Sequence, residues 1–314
     1  MRASPCHRCG VRRFIALAGF LFACQPQAGL TPDSASEQSN TSASREVLDA
    51  AVGAPSAADA SVQAEPDAPP AEMAPELPPV EAGQAGGLEY VEMMTGKAKR
   101  DARVPTIVAI HGLGDRPRNF RALFVGLAKP ARILLFRAPN AYEGGGWSWF
   151  PLRARDPDVE AVSAGIAKAA DQLAESLRAY MAEHPGDGPF IVTGFSQGGM
   201  LTFTLAARHP DLVLEAIPVG GWLPPPLWPE SAPEPSPPIT ALHGTDDSAV
   251  KFKPTREAVQ HLATTGWKAE LHPYRGVGHA IPPEMRQELF KLLRGAVTRR
   301  AAVIADEEMS AAAE

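Results

Sequence analysis

Apolar positions along the 314-residue chain fall into three regimes. Phe14 to Phe22 is an apolar run broken only by Gly19, residues 25–87 show no periodicity, and from Leu88 onward short apolar runs alternate with stretches of helical period. The alternation predicts an α/β body. Its strands are expected at Leu88 to Met93, Thr106 to His111, Arg132 to Arg137, Phe190 to Thr193, Leu214 to Val219, Ile239 to His243 and Ala269 to Tyr274. Several are almost wholly apolar, as strands of a parallel sheet buried on both faces are. The clearest helix follows Asp156-Pro157, where an acid caps and a proline suits the first helical position. Val159, Val162, Ile166, Ala169, Leu173, Leu177 and Tyr180 advance by threes and fours along one face, and His184-Pro185-Gly186 ends it. Further helices are predicted over Met200 to Arg208 and Pro283 to Val297.

Charge divides the chain in the same places. The first 24 residues carry four Arg and no acid, while residues 25–87 carry ten acids, one Arg and no aromatic. Of the formal net charge of −6, only −1 remains for the body from residue 88. A near-neutral body lacks the basic excess of a nucleic-acid binder, and three Cys supply neither a disulfide framework nor a Cys-rich metal site. Residues 25–87 lack the apolar surface needed to offset the entropy of ordering and are expected to form a disordered spacer.

The four Arg before an apolar run too short to span a membrane have the layout of an export signal. Leu21-Phe22-Ala23-Cys24 resembles the lipobox of bacterial lipoproteins, whose Cys becomes the lipid-modified first residue. That resemblance implies a signal peptide over 1–23 and lipidation of Cys24. It further implies attachment to the cell envelope, with Gln25 compatible with the outer membrane of a Gram-negative host. A periplasmic or secreted protein is the alternative. The expected organisation is completed by a linker over 24–87, a catalytic domain over 88–300 and a tail over 301–314 that frays or extends the last helix.

Chemistry-bearing residues cluster after the predicted strands. Phe190 to Thr193 runs into Gly194-Phe195-Ser196-Gln197-Gly198, a G-x-S-x-G elbow in the strand, turn, helix setting that lifts a Ser hydroxyl out of a sheet. A Ser needs a base, and the base an orienting acid. In the order Ser, acid, His, the strand ending at His243 leads to Asp246 and Asp247, and the strand ending at Tyr274 leads to His279. Oxyanion donors are expected from the N–H of Gln197 and, in the glycine-rich loop His111 to Asp115, of Leu113. His272 reads as structural within its strand, and His184, His209 and His261 as solvated.

Five blocks together resemble the phospholipase/carboxylesterase family of α/β-hydrolases, which includes acyl-protein thioesterases and small bacterial carboxylesterases. They are His111-Gly-Leu-Gly-Asp115, Trp147-Ser-Trp-Phe150, Gly194-Phe-Ser-Gln-Gly-Gly199, His243-Gly-Thr-Asp-Asp247 with Val250, and Gly278-His279. The resemblance spans roughly Tyr90 to Leu293. It implies an α/β-hydrolase fold with a mostly parallel central sheet and helices on both faces. It also selects Asp247 over Asp246 and agrees with Leu113 and Gln197 as donors.

The expected activity is a cofactor-free, metal-free hydrolysis of neutral short- to medium-chain carboxylic esters through Ser196, His279 and Asp247. Trp147, Trp149, Phe150, Trp222 and Leu223 are expected to line the substrate pocket, and no cationic cluster is foreseen there. The partners expected are a small-molecule or lipid ester and, through the anchor, a membrane; the sequence leaves the oligomeric state open. A lysophospholipase or acyl-thioesterase is the enzymatic alternative, and a surface-tethered binding module with an inactive fold the non-enzymatic one. Leu223 to Pro238, half of it Pro, is expected to be a stiff loop or pocket rim.

Overall fold

A computed structural model describes residues 77–313. The signal peptide, Cys24 and the spacer as far as residue 76 lie outside the described residues. The strands are β1 (Glu81–Ala85), β2 (Leu88–Thr95), β3 (Thr106–Ile110), β4 (Ala131–Phe136), β5 (Asn140–Ala141), β6 (Trp147–Ser148), β7 (Phe190–Phe195), β8 (Val213–Val219), β9 (Ile239–Gly244) and β10 (Ala269–Tyr274). The α-helices are α1 (Pro117–Phe120), α2 (Val159–Glu183), α3 (Gln197–Arg208), α4 (Phe252–Thr264) and α5 (Pro283–Ala313). Eight strands make one sheet in the order β1-β2-β4-β3-β7-β8-β9-β10. In this sheet only the β1–β2 and β2–β4 pairings are antiparallel and the rest are parallel, while β5 and β6 form a separate antiparallel pair.

Strand alternation sends neighbouring apolar residues to opposite faces, so the central strands feed two cores. Val108 and Ile110 of β3, Leu134 and Phe136 of β4 and Val192 of β7 pack with buried residues of α2, α3 and α4. Ile107, Ala109, Ile133, Leu135 and Ile191 face the other way, toward Phe120 of α1 and Met285, Leu289 and Leu293 of α5. The α/β-hydrolase architecture is therefore present, with helices on both faces of a mostly parallel sheet. In α2 the foreseen face is buried from Val162 to Tyr180, but the cap is Asp158 rather than Asp156, its side chain accepting from Ala161 N at 2.9 Å. Among the described residues no helix is long and apolar enough to cross a membrane.

One boundary differs from expectation, one of two expected outcomes holds for the tail, and one helix is new. Order begins before residue 88, because Glu81–Ala85 pairs along β2 from Glu81↔Glu92 to Ala85↔Leu88 and buries Ala85. Backbone pairing to an open sheet edge needs no apolar period, which is why the polar stretch forms a strand. The tail extends the last helix, the second of the two outcomes expected for it: α5 runs to Ala313, fastened by Arg300 Nη1 donating to Glu307 at 3.1 Å and by an Arg103–Glu307 ion pair. Helix α4 was not foreseen, and it forms the bed of the Pro-rich loop. Trp228 stacks on His261 of α4, and the His261 ring lies 2.9 Å from Pro229 O.

Candidate active site

Strand β7 ends at Phe195, α3 begins at Gln197, and Ser196 forms the turn between them with φ 58° and ψ −118°. A non-glycine residue there is strained, and such strain gathers at functional turns. The turn is possible because strand and helix nearly touch: a Cβ on Gly194 would lie 2.5 Å from Gly198 O, and one on Gly198 would overlap Ile110 O.

Parallel strands bring the other two groups to the same sheet edge. The loops after β9 and β10 are stitched together by Thr245 N donating to Tyr274 O at 2.9 Å and Asp246 N to Val277 O at 3.0 Å. Asp247 is thereby turned inward, and its Oδ2 lies 2.7 Å from His279 Nδ1. Its Oδ1 accepts from Ala249 N at 2.9 Å and Val250 N at 2.8 Å. Burial by itself would raise the Asp247 pKa, but hydrogen bonds from His243, His279 and Val250 outweigh it and hold the carboxyl well below the usual range. Asp246 is exposed and accepts from the Thr245 hydroxyl at 2.7 Å, away from the imidazole.

The His279 ring stacks on Phe195, the residue before Ser196, with centroids 4.6 Å apart. Ser196 and His279 line one cleft of about 240 Å³. Among the described residues the Ser196 hydroxyl makes no hydrogen bond to the imidazole; in unliganded sites such bonds are often long and tighten with substrate.

The cleft also takes in Leu113 and Gln197. Gln197 opens α3, so its N–H has no partner within the helix. Leu113 N–H makes no backbone hydrogen bond among the described residues, whereas its neighbour Gly114 N donates to Trp147 O at 2.9 Å.

Support for this loop comes from groups whose role was not read from the sequence. The buried Gln197 side chain accepts from Trp149 N at 3.0 Å through Oε1 and donates to Phe150 O at 2.9 Å through Nε2. Trp149 Nε1 in turn donates to His111 O at 3.0 Å. Ala138 N donates to His111 Nε2 at 3.2 Å, which leaves the proton on Nδ1, 2.7 Å from Gly112 O. Burial lowers the His111 pKa and favours this neutral form. His243, fully buried, sits 2.8 Å from Val250 O and 3.4 Å from Asp247 Oδ2, bracing the acid from behind. A Gln directly after Ser196 was the available signal for the first of these.

The expected pocket wall is corrected. Trp149, Phe150, Trp222 and Leu223 are buried in the core, and Trp147 lies under the Arg137 guanidinium at 4.1 Å, lining a separate cavity. The large rings contribute more as core than as pocket wall. Nor does the Pro-rich loop rim this cleft. Arg153 and Arg155 line it instead, against the expectation of no cationic cluster. The other histidines stand elsewhere: His209 pairs with Asp171 at 2.7 Å, His184 stacks on Tyr180, and His272 lies 3.7 Å from both Glu270 and Glu288. Among the described residues no cluster of three or more His, Cys, Asp or Glu could hold a metal ion.

The sequence pattern of the phospholipase/carboxylesterase family matches residues 93–296. The chain belongs to this family. It is 28% identical over 215 residues to the Arabidopsis thaliana protein named "Probable carboxylesterase SOBER1-like", covering 62% of this chain and 80% of the relative. It is 29% identical over 205 residues to acyl-protein thioesterase 1 of Debaryomyces hansenii, covering 57% and 85%. Among solved structures, esterase PE8 superposes with a TM-score of 0.57 at 28% identity, over 65% of this chain and 99% of PE8. The family match includes Leu113, Ser196, Asp247 and His279 within its bounds.

Proposed function

We propose that this family member is a serine carboxylesterase that hydrolyses short- to medium-chain carboxylic esters through an acyl-enzyme on Ser196. The observation that carries the reading is the Asp247–His279 pair at 2.7 Å, whose imidazole lines the same cleft as the strained Ser196. His279 takes the Ser196 proton as Oγ attacks the ester carbonyl. The N–H groups of Leu113 and Gln197 stabilise the oxyanion as it develops. His279 then protonates the departing alcohol, and a water deprotonated by His279 attacks the acyl-enzyme and releases the acid. Asp247 holds the imidazole proton on Nδ1 and offsets the charge of the imidazolium.

A volume of about 240 Å³ lies below the roughly 300–1,000 Å³ of pockets that enclose drug-sized ligands, which favours a compact ester over an enclosed long lipid chain. The thioesterase reading is favoured by the name of the D. hansenii relative. A rate that rises steadily with acyl length, or a thioester cleaved faster than its oxygen counterpart, would transfer the proposal to it. A neutral substrate is not required, because two Arg residues line the cleft. Export and attachment through Cys24 belong to the same proposal, and lipid labelling that persists in Cys24→Ala would remove them.

The deciding experiment is Ser196→Ala. Turnover of p-nitrophenyl acetate is expected to fall by several orders of magnitude, on the order of 10⁶ where nucleophile and base act as a unit, with the fold retained. Undiminished turnover by folded Ser196→Ala would remove Ser196 as the nucleophile, whereas a wild-type protein that neither turns the ester over nor reacts with a fluorophosphonate would leave the inactive binding module in its place.

A further inference from the structure

We infer that the cleft selects esters carrying a negative charge close to the scissile carbonyl, with Arg153 and Arg155 as the residues that hold the anion. The inference rests on the esterase reading and names the substrate class of the same site.

Arg153, Ala154 and Arg155 lie on a strap between Phe150 and α2, and both ends of that strap are pinned. At one end the Gln197 amide donates to Phe150 O at 2.9 Å and Leu152 O at 3.5 Å, which ties the strap to the residue directly after Ser196. At the other, Asp158 caps α2 through Ala161 N at 2.9 Å. The residues between are thus carried over the cleft by fixed points, and both Arg residues form part of its wall.

Their charge is not neutralised locally. Among the described residues neither guanidinium forms an ion pair, and no Asp or Glu lines the cleft. The acids nearest in sequence are occupied by backbone: Asp156 accepts from Asp158 N at 3.2 Å, and Asp158 caps the helix. Arg153 spends one N–H on the Tyr142 hydroxyl at 3.1 Å, which orients its guanidinium and leaves its other donors available. Two Arg residues without ion pairs at the wall of a small cleft focus positive potential on whatever enters. Their planar forks match a carboxylate or a phosphate better than any neutral group. Both side chains are exposed, so solvent screens them and the selectivity is moderate.

The test compares charged and neutral esters of matched shape. The 4-nitrophenyl monoester of succinate against 4-nitrophenyl butyrate places the anion on the acyl side; 4-acetoxybenzoate against its methyl ester places it on the alcohol side. In at least one pair the wild-type protein is expected to favour the anionic member, and Arg153→Gln/Arg155→Gln should lower the anionic-to-neutral ratio of kcat/KM by about tenfold, the scale of one charge-assisted hydrogen bond. The arm that responds identifies the side that carries the charge. A second measurement needs no variant: the wild-type ratio should fall as ionic strength rises. Ratios unchanged by the double substitution, or independent of salt, in both pairs would overturn the inference while Ser196-dependent turnover continued. Turnover of all four esters that survives Ser196→Ala would instead overturn the esterase reading, and this inference with it.

Discussion

Replacing Asp247 with Asn removes a charge while keeping the side chain's shape, so it separates the electrical role of the carboxylate from its structural one. Oδ1 is held by the N–H groups of Ala249 and Val250 at 2.9 and 2.8 Å. Those two donors fix the amide: its carbonyl oxygen takes the Oδ1 position, and its NH₂ turns toward His279 Nδ1, now 2.7 Å from Oδ2. An N–H donor facing Nδ1 demands a lone pair there, which moves the imidazole proton to Nε2. That nitrogen must be free to accept the Ser196 proton, so the base is in the wrong tautomer and its charged form has lost its counter-charge. A loss of about 10⁴ in kcat follows, about 5.5 kcal/mol at 1.36 kcal/mol per decade. The fold should be retained, because both loop N–H bonds persist, while Tm at neutral pH should fall by the stability that the ionised carboxylate contributes. Asp247→Asn and wild type are compared by kcat on p-nitrophenyl acetate and by Tm, with Asp246→Asn, at an exposed carboxylate, expected within about twofold of wild type. The acid-side behaviour supplies a second readout. A depressed carboxyl pKa contributes stability that is present above the unfolded value near about 4 and lost as pH falls toward the folded value. Asp247→Asn should therefore flatten that part of the acid slope. A folded Asp247→Asn protein that keeps more than about a tenth of wild-type kcat would refute this reasoning, since a tautomer switch of this kind costs far more.

Gln197→Ala leaves the buried Trp149 N–H without its partner and removes one of the two donors to Phe150 C=O, the Ser148 hydroxyl at 2.6 Å remaining, a cost of about 1–3 kcal/mol. Tm should drop by about 5–10 °C, and an unchanged Tm would mean that the amide does not hold the loop. A chain beginning at residue 88 lacks β1 and exposes the edge of β2. It should melt at least about 3 °C below a chain beginning at residue 77 and aggregate sooner; equal Tm values would show that β1 adds nothing. For His111, burial depresses the folded pKa, so its contribution to stability is full above about pH 6.5 and declines as pH falls through the window below it. Its imidazole C2 proton, followed by NMR, should titrate below the range of an exposed histidine; titration at or above that range would contradict the neutral clamp.

What the sequence made legible and what it hid follow from one geometric rule. In a parallel sheet the carboxyl ends of the strands lie along one edge. Any residue placed just after a strand is therefore delivered to that edge whatever its distance in sequence. Ser196 after β7, Asp247 after β9, His279 after β10 and Leu113 after β3 all have this property, and local strand signals were enough to gather them. Strand β1 carried no such signal, because Glu-Ala-Gly-Gln-Ala has no apolar period and is ordered by pairing alone. Helix α4 did carry one, since Thr255, Ala258, Val259 and Leu262 form its buried face at helical spacing.

Arg153 and Arg155 could not be found by that rule. They lie in an aperiodic stretch with no strand before them, and their position depends on contacts made by Gln197, more than forty residues away. The aromatic residues failed in the opposite direction. Trp149 and Phe150 stand beside the site in sequence, yet burying a large ring stabilises the fold more than lining an open cleft, so they turn inward and leave the wall to polar neighbours. The chemistry of bond cleavage is thus set by strand ends and can be read one-dimensionally. The wall of the cleft is set by a strap whose path only tertiary contacts define, which is why the selectivity inferred above falls to Arg153 and Arg155 rather than to the aromatic motif.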